Sequence, residues 1–314
     1  MPPSDHESRL AAGDSTVRRS ELCCPASSLK MMTKAAAGSA DEVIFDLEDG
    51  CALSQKAAAR KTLIEALHTL DFKGRIRAFR PNGVHTKFFY RDVIEVGEAA
   101  GTNVDVVVLP KVQEAADVVF ADRLLTQIEQ NVGLPPGQIK LEALIESAKG
   151  VLHAEQIASA SSRLVALIFG SADYAGDIGA RAPVPDPFML YHYARAQMVA
   201  AARASGIQAI DGVTVQVHDL KQCERDAQAA AEMGFDGKWA IHPDQVEVIN
   251  RVFTPSADEI ARASEILELY SKAGQEAGEG VIVYKGEMVD GASLPAERRT
   301  LAIAKKLGLA KEIG

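Results

Sequence analysis

No apolar stretch in this 314-residue chain reaches the roughly 18 residues of a membrane span, so no transmembrane segment is expected. Cysteine is scarce: Cys23, Cys24, Cys51 and Cys223 are the whole supply. None of them makes a Cys-x-x-Cys zinc spacing, and so few thiols do not describe a secreted disulfide framework. The adjacent Cys23 and Cys24 stand in an apolar run and read as small core residues rather than a reactive pair. There is no block of basic residues, and 43 acidic residues face 34 basic ones for a formal net charge of -9. Nucleic acid is therefore not an expected partner. An anionic substrate is not excluded, because local clusters decide binding. Clear repeats and low-complexity segments are missing too. Residues 1–18 are polar and rich in small residues, without the apolar centre of a secretory signal. They are expected to form a disordered leader on a cytoplasmic protein.

With 47% hydrophobic and 25% charged residues, the composition is that of an ordinary globular chain. Short apolar runs alternate with amphipathic helical patterns. The runs are Glu21–Pro25, Glu42–Leu47, Arg75–Arg80, Val104–Leu109, Leu141–Ile145, Leu164–Phe169, Gln208–Ile210 and Gly237–Ile241. Eight strands regularly separated by helices imply parallel pairing and a closed (β/α)8 TIM barrel, an α/β fold, over residues 19–254. Residues 255–314 exceed what a barrel needs: a helix near 258–273, a Gly-containing link, an extended stretch ending near Asp290, and a final helix. They read as a C-terminal extension that folds over something.

In such barrels chemistry lies at the C-terminal ends of the strands. Standing there are Glu48 and Asp49, Arg80 with Asn82, Lys111, Glu146, Asp173, Asp211 and His242. Several carboxylates converging on one mouth suit a hard cation such as Mg²⁺ or Mn²⁺ better than zinc. Glu146 and Asp173, which follow neighbouring strands, fit best as direct ligands, with Glu48 and Asp49 behind them. Each carboxylate taken alone serves equally well as a helix cap or salt-bridge partner. Lys111 could be an imine-forming lysine. His242-Pro243 reads as a turn, and Trp239 and the Met31-Met32 pair as core.

The motifs Phe45-Asp-Leu-Glu48-Asp49, Arg80-Pro-Asn82-Gly83, Leu109-Pro-Lys111-Val112, Ile145-Glu146-Ser147-Ala148-x-Gly150, Phe169-Gly170-x-x-Asp173, Gly237-Lys238-x-x-Ile241-His242-Pro243 and Tyr284-x-Gly286-x-Met288-Val-Asp290 occur in that order. In them the chain resembles the citrate lyase β-subunit-like CoA-ester lyases of the HpcH/HpaI aldolase superfamily, which include malyl-CoA and citramalyl-CoA lyases. The resemblance implies a Mg²⁺ ion held by Glu146 and Asp173, and Arg80 at the thioester and 2-oxo acid oxygens. It also implies a trimer-based assembly, trimer or hexamer, in which the extension caps a neighbouring subunit's mouth and delivers Asp290. The implied reaction is retro-aldol cleavage of a 3-hydroxyacyl-CoA to acetyl-CoA and pyruvate or glyoxylate. A thioesterase acting on malyl-CoA-type esters and the β subunit of an acyl-carrier-dependent citrate lyase are the alternatives.

Two departures stand out. Family members often carry Pro-Gly-(Ser/Asp)-Arg-Pro after the first strand, with the Arg on CoA phosphates. This chain has Pro25-Ala26-Ser27-Ser28-Leu29, so Lys30 and Lys34 become the nearest cations for that task. The short passage from Asp173 to Pro183 also fits poorly with a malyl-CoA lyase branch that carries a long Gly-rich insertion there.

Overall fold

The eight apolar runs become eight strands because each is bordered by turn residues and followed by a helix that covers its outer face. A computed structural model describes residues 16–181, 187–276 and 280–310. Residues 1–15 of the expected leader lie outside the described residues. In chain order the elements are β1 (Ser20–Pro25), α1 (Leu29–Ala37), β2 (Glu42–Asp46), α2 (Lys56–Thr69), β3 (Ile76–Arg80), α3 (Phe89–Ala100), β4 (Val106–Leu109), α4 (Ala115–Val132), β5 (Lys140–Ile145), α5 (Ala148–Leu152), α6 (Ala154–Ala158), β6 (Leu164–Phe169), α7 (Ser171–Asp177), α8 (Pro187–Ser205), β7 (Gln208–Asp211), α9 (Leu220–Met233), β8 (Gly237–Ala240) and α10 (Pro243–Phe253). The strands pair in sequence order, all parallel, and β1 closes on β8. The result is a (β/α)8 barrel.

Alternation along each strand sorts the core into two layers. Outward residues such as Val43, Phe45, Phe79, Leu109, Leu141 and Phe169 pack under the helices in one large cluster. Inward residues, among them Ile44, Ala78, Val108, Leu144, Ile168, Ile210 and Trp239, fill the barrel itself. Cys24 is buried in the outer layer. Cys23 turns inward, packs against Trp239 and its neighbours, and is only half-buried. Met32 is buried as core, whereas Met31 is 48% exposed on the outer side of α1. The expectation of a core Met pair thus fails at Met31, because adjacent helical positions point about 100° apart.

Inward positions at the strand starts are charged. Glu21, Glu42 and Glu142 are fully buried, with carboxylate oxygens within 4.8 Å of one another. The Arg18 guanidinium reaches between two of them, 3.1 Å from Glu42 and 2.8 Å from Glu142. Both Glu21 oxygens lack a hydrogen-bond partner. Burial, and then the neighbouring Glu142 and Glu42 charges, push the Glu21 carboxyl well above the usual carboxylate range despite Arg18.

A separate compact unit comprises, among the described residues, 16–17, 254–276 and 280–310. In it α11 (Ala257–Glu276) and α12 (Leu294–Lys306) flank an antiparallel hairpin, β9 (Val281–Tyr284) and β10 (Glu287–Asp290). Its two turn residues both have positive φ, 49° at Lys285 and 90° at Gly286, the backbone that matches the twist of a tight hairpin. Ile266, Tyr284, Val289 and Leu294 form this unit's own small core. No helix among the described residues is long and apolar enough to cross a membrane.

Candidate active site

At the C-terminal mouth the organising residue is Asp46, the last residue of β2. It pairs in register with Arg80, the last residue of β3. Its carboxylate accepts from Arg80 Nε at 2.8 Å and Nη2 at 2.6 Å. It also accepts from the backbone amides of Glu48 and Gly50, both at 2.7 Å. Burial alone would raise the Asp46 pKa, but Arg80 and these two amides outweigh it and hold the carboxyl below its usual range. Trp239 lies beneath, with its ring 5.6 Å from the Arg80 guanidinium carbon. Burial works against the Arg80 charge, yet Asp46 keeps it protonated far above any accessible pH.

The β2 turn is tied down from two further sides. Lys56 Nζ donates to the carbonyls of Leu47 and Glu48, both at 2.9 Å. Asn82 donates to the Leu47 carbonyl at 3.1 Å and to Asp92 at 2.5 Å. The buried Asn82 amide nitrogen is thus committed to holding the loop. The turn presents Glu48 inward: its carboxylate lies 3.2 Å from Arg80 Nη1 and 2.6 Å from Lys111 Nζ. Asp49 is exposed and meets the same ammonium at 3.1 Å.

Lys111 follows β4 and Pro110 in a left-handed backbone conformation, φ 55°, uncommon outside glycine. That turn aims its N–H at Glu146 Oε1, 2.8 Å away. Although partial burial works against its charge, Glu48 and Asp49 hold the Lys111 ammonium protonated well above lysine's usual range. A doubly paired ammonium is a poor imine-forming nucleophile, which speaks against that role.

Glu146 follows β5 and is buried. Asp173 is not on a strand: β6 ends at Phe169, and Asp173 stands in the first turn of α7, exposed and without a protein partner among the described residues. The two side chains line one cavity of about 540 Å³, shared with Lys111, Gln113, Ser147 and Asp177. Burial first, then the charges of Asp173 and Glu48, push the Glu146 pKa up to about 8. Gly170 makes the close approach possible, since a Cβ there would come within 2.6 Å of Glu146 Oε2.

These residues fit a divalent cation. The mouth holds six carboxylates (Asp46, Glu48, Asp49, Glu146, Asp173, Asp177) against two cations, Arg80 and Lys111; the cations face the first three, and Asp177 accepts from the Ala148 amide. Among the described residues, Glu146 and Asp173 are left without an ion-pair partner. Their oxygen donors suit a small hard ion.

Other expected residues lie elsewhere. Lys30 and Lys34 are exposed on one side of α1, four residues apart. Asp211 is buried and bound by Lys238 Nζ at 2.7 Å and Arg195 Nε at 2.9 Å, which makes it a structural anchor. Asp290 ends β10 in the separate C-terminal unit, where its carboxylate accepts from the Ala292 amide at 2.9 Å. Asp46 was missed from sequence. Its only signal was a charge at an inward position of the otherwise apolar run Val43-Ile-Phe45.

A closed parallel barrel with an arginine and a cation-ready carboxylate pair at its C-terminal mouth defines a (β/α)8 enzyme of the aldolase type. Residues 19–243 match the HpcH/HpaI aldolase/citrate lyase family model, and the chain belongs to that family. Over 291 residues it is 41% identical to the L-malyl-CoA/β-methylmalyl-CoA lyase of Cereibacter sphaeroides, spanning 88% of this chain and 91% of that protein. It is 36% identical to citrate lyase subunit β of Leuconostoc mesenteroides subsp. cremoris, over 92% of this chain and 93% of the other. Among solved structures, CitE from Mycobacterium tuberculosis in complex with magnesium, acetoacetate and coenzyme A superimposes with a TM-score of 0.74 at 30% identity, covering 94% of this chain and all of that one. Malyl-CoA lyases are thus among the relatives despite the short passage after Asp173.

Proposed function

We propose that this protein is a Mg²⁺-dependent CoA-ester lyase. It cleaves a 3-hydroxyacyl-CoA of the malyl-CoA or citramalyl-CoA type to acetyl-CoA and glyoxylate or pyruvate. The observation that carries the reading is the division of charge at the mouth. Arg80 is fixed by Asp46 and stands beside Glu48, while Glu146 and Asp173 share a cavity with no cationic side chain among the described residues paired to either. The relatives named lyases, and the solved relative with magnesium and coenzyme A, support the same assignment.

Glu146 and Asp173 would hold the ion, which when bound supplies Lewis acidity to the oxygens of the departing 2-oxo acid. Arg80 is clamped in one orientation over Trp239 and is set to stabilise negative charge moving onto the thioester oxygen. Preorganised charge of this kind is often worth several kcal/mol. Glu48 and Asp49 line the approach to Arg80 and Lys111 and orient polar groups of the substrate. Lys30 and Lys34 face solvent near the β1 end without an acidic partner among the described residues. They take over the phosphates of CoA.

Asp290 exchanges a proton with the enolate carbon, arriving with the C-terminal extension of a neighbouring subunit in a cytoplasmic homotrimer or hexamer. The hairpin supports this reading, because it turns Val283 (73% exposed) and Met288 (71%) outward side by side in register. An apolar pair of that kind is suited to burial against a partner.

The test is a product assay on a panel of 3-hydroxyacyl-CoA esters with Mg²⁺. Equal amounts of acetyl-CoA and 2-oxo acid, abolished by EDTA, are expected. Free CoA without acetyl-CoA would mean a thioesterase, and activity persisting in EDTA would remove the metal from the mechanism.

A further inference from the structure

Four carboxylates that could each ligate a small hard cation crowd this mouth: Glu48, Asp49, Glu146 and Asp173. If all four closed on one ion, they would fill the positions that substrate oxygens need, since a working Mg²⁺ site keeps only one or two carboxylates and leaves the rest to substrate and water. Glu48 and Glu146 flank one residue, Glu48 at the Lys111 ammonium and Glu146 at its amide. Something must therefore keep Glu48 and Asp49 off the ion.

We propose that Lys111 does so, as a positioning residue that reserves Glu48 and Asp49 for work outside the cation's coordination. The inference rests on the reading that Glu146 and Asp173 hold the metal. Lys111 Nζ takes one Glu48 oxygen at 2.6 Å and Asp49 at 3.1 Å, and Arg80 takes the other Glu48 oxygen at 3.2 Å. One Glu48 oxygen is thus held by the ammonium, and the other stands at ion-pair distance from Arg80 without a hydrogen bond. Through its backbone the same residue acts on the opposite side, donating its N–H to Glu146 Oε1 at 2.8 Å. Lys111 makes both contacts from a left-handed backbone, φ 55°, and strain of this kind concentrates at functional sites. One residue therefore sorts the carboxylates of the mouth, leaving one pair for the ion and binding the other pair away from it.

The experiment compares Lys111→Met, Lys111→Arg and Lys111→Met/Glu48→Gln in the full-length protein. It measures binding of MgCl₂ alone by calorimetry, thermal melting, and kcat and KM on the ester that the wild type cleaves. Lys111→Met is expected to bind Mg²⁺ about tenfold more tightly, because a freed carboxylate joins the ion. Its kcat/KM should fall about a hundredfold with KM raised, because the joining carboxylate fills a position that substrate oxygens need. Lys111→Arg should recover most of that loss. In the double variant Mg²⁺ affinity should return to the wild-type value while turnover stays low. Unchanged or weaker Mg²⁺ binding in Lys111→Met, or normal turnover, would overturn the proposal. Should the Met variant lose its fold, Lys111→Gly gives the same readouts, since glycine accepts the left-handed backbone. Glu146→Gln tests the underlying metal reading by itself: if that variant binds Mg²⁺ like the wild type, the metal assignment fails whatever Lys111 does.

Discussion

Asp46 and Arg80 are cross-strand partners at the ends of β2 and β3, and their side chains close a bidentate ion pair of 2.8 and 2.6 Å in the barrel mouth. The same carboxylate holds the turn that carries Glu48 and Asp49. Asp46→Asn should therefore cost about 3–5 kcal/mol, the usual consequence of removing one partner of a buried pair. It should also lower kcat, because Arg80 loses its clamp. Because Arg80 and the two amides depress the Asp46 pKa, the pair's stabilisation is present above the unfolded carboxylate pKa. It is lost as pH falls through the lower folded value. Urea unfolding of wild type and Asp46→Asn should thus converge in acid; a gap that persists there would count against this account.

Glu146 has the opposite sign. Its pKa is raised from 4.5 to about 8 by burial and by Asp173 and Glu48. Without metal its contribution is complete below the unfolded value and is lost as pH rises through that window. Melting in EDTA should fall between about pH 4.5 and about pH 8, with Glu146→Gln flattening part of the slope. Mg²⁺ binds the ionised form and should restore stability at the alkaline end in the wild type only. Glu146→Ala and Asp173→Ala should each abolish metal-dependent turnover.

At the other end of the barrel, Glu21 gives a stability test free of catalysis. It is fully buried, both its oxygens lack hydrogen-bond partners, and burial with the Glu142 and Glu42 charges raises its pKa. Glu21→Gln removes that carboxyl and adds donors facing Glu42 and Glu142. Stability should rise by about 1–3 kcal/mol near neutral pH, and the gain should shrink toward the unfolded carboxylate pKa. A loss of stability at neutral pH would refute the description.

Asp290→Asn should fold normally and lose turnover. Co-expressed with Arg80→Ala, it should form mixed assemblies that regain activity neither variant has alone, provided Asp290 serves a neighbour's mouth. Full activity of a monomer, or no recovery in the mixture, would place the acid elsewhere.

Much of this was legible in the sequence because the barrel repeats one local rule. Apolar runs of four to six residues, each followed by a helix, leave few other ways to pair. Charged residues at their C-terminal ends must then meet at one mouth, which is why Arg80, Glu48 and Glu146 could be named together. Asp46 was not legible, since its role depends on a partner brought alongside by register. Lys111 hid its part because a left-handed backbone at lysine has no sequence signature. His242-Pro243 reads as a turn in the sequence, whereas Pro243 opens the helix Pro243–Phe253, because proline at a helix start supplies the φ that the helix uses. The buried acids Glu21, Glu42 and Glu142 stand at inward positions near the strand starts, where the search for chemistry does not look.

Gly170 carries a further consequence. The mouth's oxygen donors could all remain, and yet one added methyl group on this backbone atom would push the Glu146 carboxylate out of its seat. The site is therefore guarded by an empty space as much as by its acids. A family member that kept every charged residue but placed alanine here would retain the inventory of a lyase without its geometry.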